Sequence, residues 1–333
     1  MLGLRAKARL VRSRSALFGL AIVGALVLFA WVGPLAAQHG PLESDFARGI
    51  TPEGLPVAPN RIFLLGADRL FRDVWARLAF AGRWSLLISV TATAMATCIG
   101  TAVGVVAGWN EGHRAQMPWP LAAGMAGAAG AVAFGRVDWA LAGLGAAALA
   151  TLGRRFRGPS VDVDGLMMRM VDVLLAFPFL LLVMAIGAAV DRVSATTILV
   201  TLGATGWLGI ARVVRAKTIQ VRSHAYVVAS RALGQSTFRI LLSHVLPGVS
   251  GPILVSATIL VGQMIVAESV LSYLGVGISP PTPTWGRMLF EGQESYAIAP
   301  WLVIAPGAII LVAVSGFHML GEGLRDALDP HET

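Results

Sequence analysis

Hydrophobic positions in this chain come in long blocks rather than in alternation with polar ones. Runs of about 20 residues with little charge cover 16–37, 85–109, 168–190, 195–214, 249–273 and 301–319. A helix needs about that length of apolar sequence to cross a bilayer. Between the blocks lie short stretches rich in arginine, proline and glycine. The pattern predicts an all-α polytopic membrane protein with one transmembrane domain over residues 1–333.

Two stretches depart from this. In "GADRLFRDVWARLAFAGRW", Leu70, Val74, Leu78 and Phe80 recur at roughly helical spacing between Arg69, Arg72, Arg77 and Arg83. That predicts an amphipathic helix lying along the membrane surface ahead of the span at 85–109. Between Trp109 and Val161 the chain is rich in alanine and glycine, with a short "RVD" turn in the middle. Here the expectation is an inserted hairpin of two short spans at about 116–153, whose small residues allow close helix approach. An interfacial segment is the other reading, because alanine and glycine are only weakly apolar.

Charge supplies direction. Arg5, Lys7, Arg9, Arg12 and Arg14 precede the first block, which places the N-terminus in the cytoplasm. "PLAAQ" resembles a processing site, but the apolar run before it is long for a signal peptide and further spans follow, so a retained first span at 16–37 is expected. The result is eight spans with both termini inside, an outer segment at 38–83 and basic inner loops at 154–169 and 212–239. The four arginines from Arg69 to Arg83 run against this orientation.

Composition agrees with a membrane chain: 56% of residues are hydrophobic and 13% charged, about half the charge of a soluble domain. The formal net charge of +8 then reports topology rather than nucleic-acid binding. Cys98 is the single cysteine, which excludes an intrachain disulfide, and the six histidines form no ligand-spaced cluster. No catalytic set, metal site, cofactor-binding motif or phosphate loop stands out.

The stretch that carries function is "YVVASRALGQSTFRILLSHVLP", residues 226–247. It lies in a loop, 212–247, with six arginines and lysines and no aspartate or glutamate. Ser223 is placed to cap a short helix from His224 to about Leu233. Gly234 suits a left-handed helix end, Ser236 a second cap, and Pro247 precedes the next span. Tyr226, Ser230 and Leu233 share one face, with Val227 and Val228 beside it. A short helix with an apolar aromatic face fits a groove on a partner; equally, the loop could fold back on the bundle or rest on anionic lipid.

Other residues have two readings each. Glu268 stands roughly 28 Å above Val249 at 1.5 Å per residue, near the outer interface, either as a structural hydrogen-bonding group or as a gate. "SPPTPTWG" (279–286) is a proline-stiffened outer loop with Trp285 as an interfacial anchor, or part of a lip that receives a partner. Asp172 and Arg169 flank the start of a span, as an interfacial pair or a coupling contact. Pro178 should kink its helix and so shape a pore.

The loop resembles the cytoplasmic "EAA" loop of ABC-importer permeases of the dipeptide/oligopeptide/nickel group, whose pattern is "YVxAARALGxSxxRIxxxHxLP". The likeness extends through "GADRLFRDVWARL", "LMMRMVDVLLAFP", "GWLGIARVVRAKTIQVR", "AESVLSYLGVGISPPTPTWGRML" and "GEGLRDALDP", in order from Gly66 to Pro330. The pattern is that of the C-type subunit. This resemblance implies a type I ABC-importer permease fold with six core spans besides the extra hairpin, in the cell inner membrane. It implies half of a heterodimeric pore, a second permease subunit, two cytoplasmic ABC ATPases that hold ATP and Mg, and an extracytoplasmic substrate-binding protein. It makes the helix around Tyr226, Val228, Ala229, Ser230, Arg231, Gly234 and Ser236, with His244 and Pro247 behind it, the element that docks on the ATPase. Two departures stand out: Val228 replaces the family Glu and Ser230 the second Ala, while Ala67 and Phe71 replace the Thr and Gly of "GTDxLGRD".

The function expected is thus a transport subunit for peptides or similar small solutes by alternating access; nickel chelates, glycosides and antimicrobial compounds are carried on the same fold. A membrane enzyme would need intramembrane His/Asp/Glu clusters, and an autonomous channel or secondary carrier would need no docking loop.

Overall fold

The computed structural model describes residues 13–116, 160–188 and 194–328. Helices α1 (Arg14–Val32), α2 (Val74–Trp109), α3 (Val163–Ala176), α4 (Phe179–Ala188), α5 (Ala195–Thr205), α6 (Trp207–Arg222), α7 (Ala225–Ala232), α8 (Thr237–Ile240), α9 (Leu246–Tyr273), α10 (Trp285–Gly292) and α11 (Trp301–Leu328) account for most of them. The chain divides into two compact units: residues 1–105 with 174–333, and residues 106–173.

The second unit contains the only strand pair among the described residues. β1 (Arg114–Gln116) and β2 (Ser160–Asp162) run antiparallel with Arg114 opposite Asp162. The ribbon brings together the two ends of the alanine- and glycine-rich insertion in an otherwise helical fold. Residues 117–153 of the expected hairpin, and Arg154, Arg155 and Arg157 after it, lie outside the described residues.

Within the first unit, five described helical segments are long and apolar enough to cross a membrane: Arg14–Ala36, Val74–Trp109, Ala195–Arg222, Thr237–Tyr273 and Trp301–Leu328. α3 and α4, interrupted at Phe177 and Pro178, meet the same length and hydropathy criteria only when counted together, as one broken span or a re-entrant pair. Pro178 therefore breaks its helix rather than bending it, because a proline ring disfavours helical geometry in the residue before it.

Two helices organise the packing. One cluster joins Leu26 and Ala30 of α1, Val74 and Leu78 of α2, Val261 and Ile265 of α9 and Phe317 of α11 around Trp285. The other joins Ile88 and Ala92 of α2 to Val183 of α4, Leu202 of α5 and Met264, Ala267 and Leu271 of α9. α2 and α9 contribute to both and form the centre of the unit. Between helices in lipid, transfer from water supplies little drive, so close packing and buried polar contacts carry the association.

Residues 38–73 form no long helix but are tied by backbone pairing, with bridges at Ser44–Arg72, Ile50–Pro56 and Ala67–Asp73. α2 then runs unbroken for 36 residues, about 54 Å. The separate surface helix expected before residue 85 is instead its first turns. The reason is that each of the four arginines, the exposed Arg69 included, has a partner in the chain. Arg77 is 2% exposed and donates to Asp68 at 2.6 Å and Glu291 at 2.7 Å. Arg72 reaches the same two carboxylates, and Arg69 pairs with Glu294. Arg83 donates to the Ala30 carbonyl at 2.8 Å.

Candidate functional site

Local rules build the loop helix. α6 ends at Arg222, where the Ser223 hydroxyl donates to the Gln220 carbonyl, so Ser223 finishes the preceding helix instead of capping α7. His224 takes the extended N-cap geometry of α7 without a side-chain bond. At the other end Gly234 has φ +76. Its N–H donates to the Arg231 carbonyl and that of Gln235 to the Ser230 carbonyl, a Schellman end that needs the left-handed residue. Ser236 occupies the N-cap of α8 but makes no side-chain cap. α8 continues through a π-helical turn, Leu241–Val245, into α9, whose first turn holds Pro247. Thr237–Tyr273 is thus one 37-residue helical rod.

The face expected from spacing divides in two. Val227 is fully buried and Ser230 nearly so, both turned toward the bundle. The Ser230 hydroxyl sits 2.9 Å from the Tyr226 carbonyl and 3.2 Å from His244 Nε2. The Tyr226 ring meets that imidazole edge-on at 5.8 Å. Facing outward are Tyr226 (49% exposed), Val228 (53%), Leu233 (82%) and Phe238 (72%), with Ala229, Arg231 and Gly234 exposed among them. The carboxylate-free loop therefore presents an apolar aromatic patch edged by arginine, which is the mark of an interaction surface.

An open cleft of about 690 Å³ lies along the membrane-spanning part of the first unit, walled by α4, α6, α9 and α11. Phe179, Leu180, Leu208, Leu260 and Val314 set its apolar character. None of the three proposed pathway residues lines it. Pro178 sits in the break beside it, Asp172 is exposed on α3 in the second unit, as is Arg169, and Glu268 is fully buried in the bundle.

Glu268 is placed to join helices. It accepts from Ser85 Oγ of α2 at 3.0 Å and from Ser272 Oγ of its own helix at 2.7 Å. Ser85 Oγ in turn accepts from the Trp285 backbone N–H at 3.2 Å. Trp285 is 0% exposed and its indole donates to the Leu78 carbonyl, so it is a core residue and not an interfacial anchor. At Gly286 an added Cβ would stand 2.2 Å from the Ser269 carbonyl oxygen, which shows how closely α10 approaches α9 beside the carboxylate.

At the same end, Asp68, Arg72, Arg77, Arg287 and Glu291 form a charged cluster. Asp68 and Glu291 accept from Arg72 and Arg77, and Arg287 donates to Glu291 at 3.2 Å. Spacing along the chain gave no sign of it, since its two halves, 68–77 and 287–291, are more than 200 residues apart. In the turn that supports it Phe71, standing where the resembling family has glycine, has φ +58, the sole non-glycine with positive φ among the described residues. Asp68 Oδ1 accepts from the Leu70 and Arg72 N–H groups and holds that turn.

The sequence as a whole is similar to those of known proteins. The family model "Binding-protein-dependent transport system inner membrane component" matches residues 141–332, more than half of the chain. The chain belongs to that family. A second model, "N-terminal TM domain of oligopeptide transport permease C", matches residues 3–52. The permease is 32% identical over 323 residues to the dipeptide transport system permease protein DppC of Bacillus subtilis (strain 168), covering 97% of this chain and 83% of that one. It is 29% identical over 327 residues to the oligopeptide transport system permease protein OppC of the same organism, covering 97% and 89%. The OppC protein of Haemophilus influenzae is 28% identical over 330 residues, covering 98% and 88%. The chain is therefore a multi-pass inner-membrane permease component with the type I ABC-importer permease fold, and a transport subunit rather than an enzyme.

Proposed function

We propose that this permease forms half of the translocation pore of an ATP-driven importer of peptides, working by alternating access. A second permease chain supplies the other half, two cytoplasmic ATPases hold ATP and Mg, and an extracytoplasmic binding protein delivers the solute at the end formed by residues 38–73 and α10. This chain itself holds no cofactor. Both termini lie in the cytoplasm, with the basic 212–239 loop on the same side.

The observation that carries this reading is the exposed patch of Tyr226, Val228, Leu233 and Phe238 at the foot of the Thr237–Tyr273 rod. A patch of that kind suits a groove on a partner. Closure of two ATPases would move α7, and the Schellman turn at Gly234 passes the motion to α8 and α9 with little slack. Since α9 walls the cleft, a rigid-body shift at its base reshapes the cleft. The names of the dipeptide and oligopeptide relatives favour peptides as solute.

Three measurements test this reading. In a Cys98→Ser chain, a cysteine at position 228 should cross-link to the co-purified ATPase, and Ser236→Cys should label only from the cytoplasmic side, Thr282→Cys only from outside. Cells lacking the chain should lose uptake of di- and tripeptides. Outside labelling of position 236, or undiminished peptide uptake, would overturn the reading.

A further inference from the structure

Three polar side chains of the cleft wall make no hydrogen bond with a described residue, and two of them, all but the half-buried Ser256, are exposed. Gln263 of α9 and His318 of α11 both line it and both are exposed. Neither makes a hydrogen bond or ion pair with any described residue. They belong to one place: the His318 ring lies 3.6 Å from where a Cβ at Gly262 would be, one residue before Gln263.

Gln263 sits ten residues from the C-terminal end of α9, about 15 Å in at 1.5 Å per residue, and His318, near the end of the 301–319 apolar block, is brought beside it by packing against Gly262. An amide or imidazole left unpaired against hydrocarbon at that depth is strongly disfavoured, so intramembrane polar groups face protein or water. Exposed positions elsewhere on the same two helices include Leu254, Ile304 and Leu311, which suit lipid; Gln263 and His318 do not. Two unpaired hydrogen-bonding groups in one apolar cleft call for a polar occupant.

The lining also limits its chemistry. No Asp, Glu, Lys or Arg is among the described lining residues, so the wall offers nothing to pair with a charged terminus. Thr205 lines the cleft too, but its hydroxyl donates to the Thr201 carbonyl at 2.7 Å. A carboxamide and an imidazole can each donate and accept, which matches a main-chain amide. The surrounding leucine and phenylalanine surface accepts side chains without selecting among them.

We propose that Gln263 and His318 are the solute-contacting residues of this permease, hydrogen-bonding the uncharged main-chain amides of a peptide in transit. This rests on the peptide-importer reading of the chain. It makes the cleft selective for amide backbone and indifferent to side chain.

The test uses the assembled importer of two permeases, two ATPases and binding protein, with Cys98→Ser as parent. Gln263→Cys and His318→Cys should react with a hydrophilic methanethiosulfonate reagent, and Leu311→Cys should not. Saturating trialanine with ATP should slow the reaction at least fivefold. In parallel, Gln263→Leu should lower trialanine uptake about tenfold, and Gln263→Asn should restore part of it, with hydrolysis by the ATPases retained. No labelling at either position would place the pair against lipid or a partner helix and overturn the proposal. Labelling without protection by trialanine would overturn it as well. A parent that imports no trialanine counts against the peptide reading instead, and the labelling still decides whether these side chains face the passage.

Discussion

The Ser230 hydroxyl oxygen lies 3.2 Å from Nε2 of His244, and this contact ties α7 to the base of the long helical rod. The hydroxyl proton is directed to the Tyr226 carbonyl at 2.9 Å, so the oxygen accepts from the imidazole N–H. Ser230→Ala would delete a contact of about 1 kcal/mol. Backbone amides of α7 should then exchange about fivefold faster in hydrogen-exchange mass spectrometry, at unchanged membrane insertion. Unaltered exchange would mean the contact does not hold the helix.

Gly234 controls the turn between α7 and the rod. At φ +76 an alanine is disfavoured by about 1 kcal/mol, so Gly234→Ala should be tolerated. Gly234→Pro cannot adopt that φ and loses the N–H that bonds the Arg231 carbonyl. Uptake should fall to background while the partner ATPases continue to hydrolyse ATP. Preserved solute transported per ATP in the proline variant would refute the coupling role.

Val228 is 53% exposed, at the position where the resembling family has glutamate. A surface change of this kind shifts stability by no more than about 0.5 kcal/mol. Val228→Glu should therefore leave the melting temperature in detergent unchanged. If the partner groove is apolar opposite this position, the same variant should weaken co-purification with the ATPase and lower coupled uptake. Stronger coupling would argue that the groove kept its family polarity.

Phe71 holds a left-handed backbone conformation, which costs a non-glycine residue about 1–2 kcal/mol. Its ring packs edge-on against Phe46 at 5.4 Å. Phe71→Ala loses that packing and keeps the strain; Phe71→Gly loses the packing and relieves the strain. The glycine variant should thus be the more stable of the two by about 1 kcal/mol, measured by thermal unfolding of the solubilised complex. Equal stabilities would remove the conformational argument.

Arg77 is buried between Asp68 and Glu291. Removing one member of a buried ion cluster leaves uncompensated charge and destabilises by about 3–5 kcal/mol. Arg77→Ala should accordingly abolish recovery of folded permease, whereas exposed Arg169→Ala should not. Folded protein at normal yield from Arg77→Ala would show that the remaining arginines suffice for the two carboxylates.

The helix–glycine–helix loop was legible because its cues are local: a carboxylate-free basic stretch, a glycine between two short helices, and a proline ahead of the next apolar block. The details that failed depended on partners elsewhere. Ser223 was expected to cap α7, yet its hydroxyl serves the helix before. Arg69 to Arg83 read as part of a separate amphipathic helix along the membrane surface, because spacing cannot show that Asp68, Glu291, Glu294 and the Ala30 carbonyl receive those guanidinium groups. Trp285 read as an interfacial anchor from its place after a proline-rich loop, while its indole is buried on Leu78. Gln263 and His318 were visible as lone polar residues inside apolar spans, but nothing in their spacing said that α9 and α11 bring them to one cleft.

Apolar block length, charge placement and turn residues by themselves determined that this is a polytopic helical membrane protein with a polar helix–glycine–helix loop, since a bilayer demands long apolar helices and local backbone rules act within a few residues. Tertiary structure alone decided which side of the loop helix is free, where the buried arginine finds its carboxylates and which polar groups face the cleft. In a chain where interior, lipid-facing and cleft-facing positions are all apolar, only packing distinguishes them.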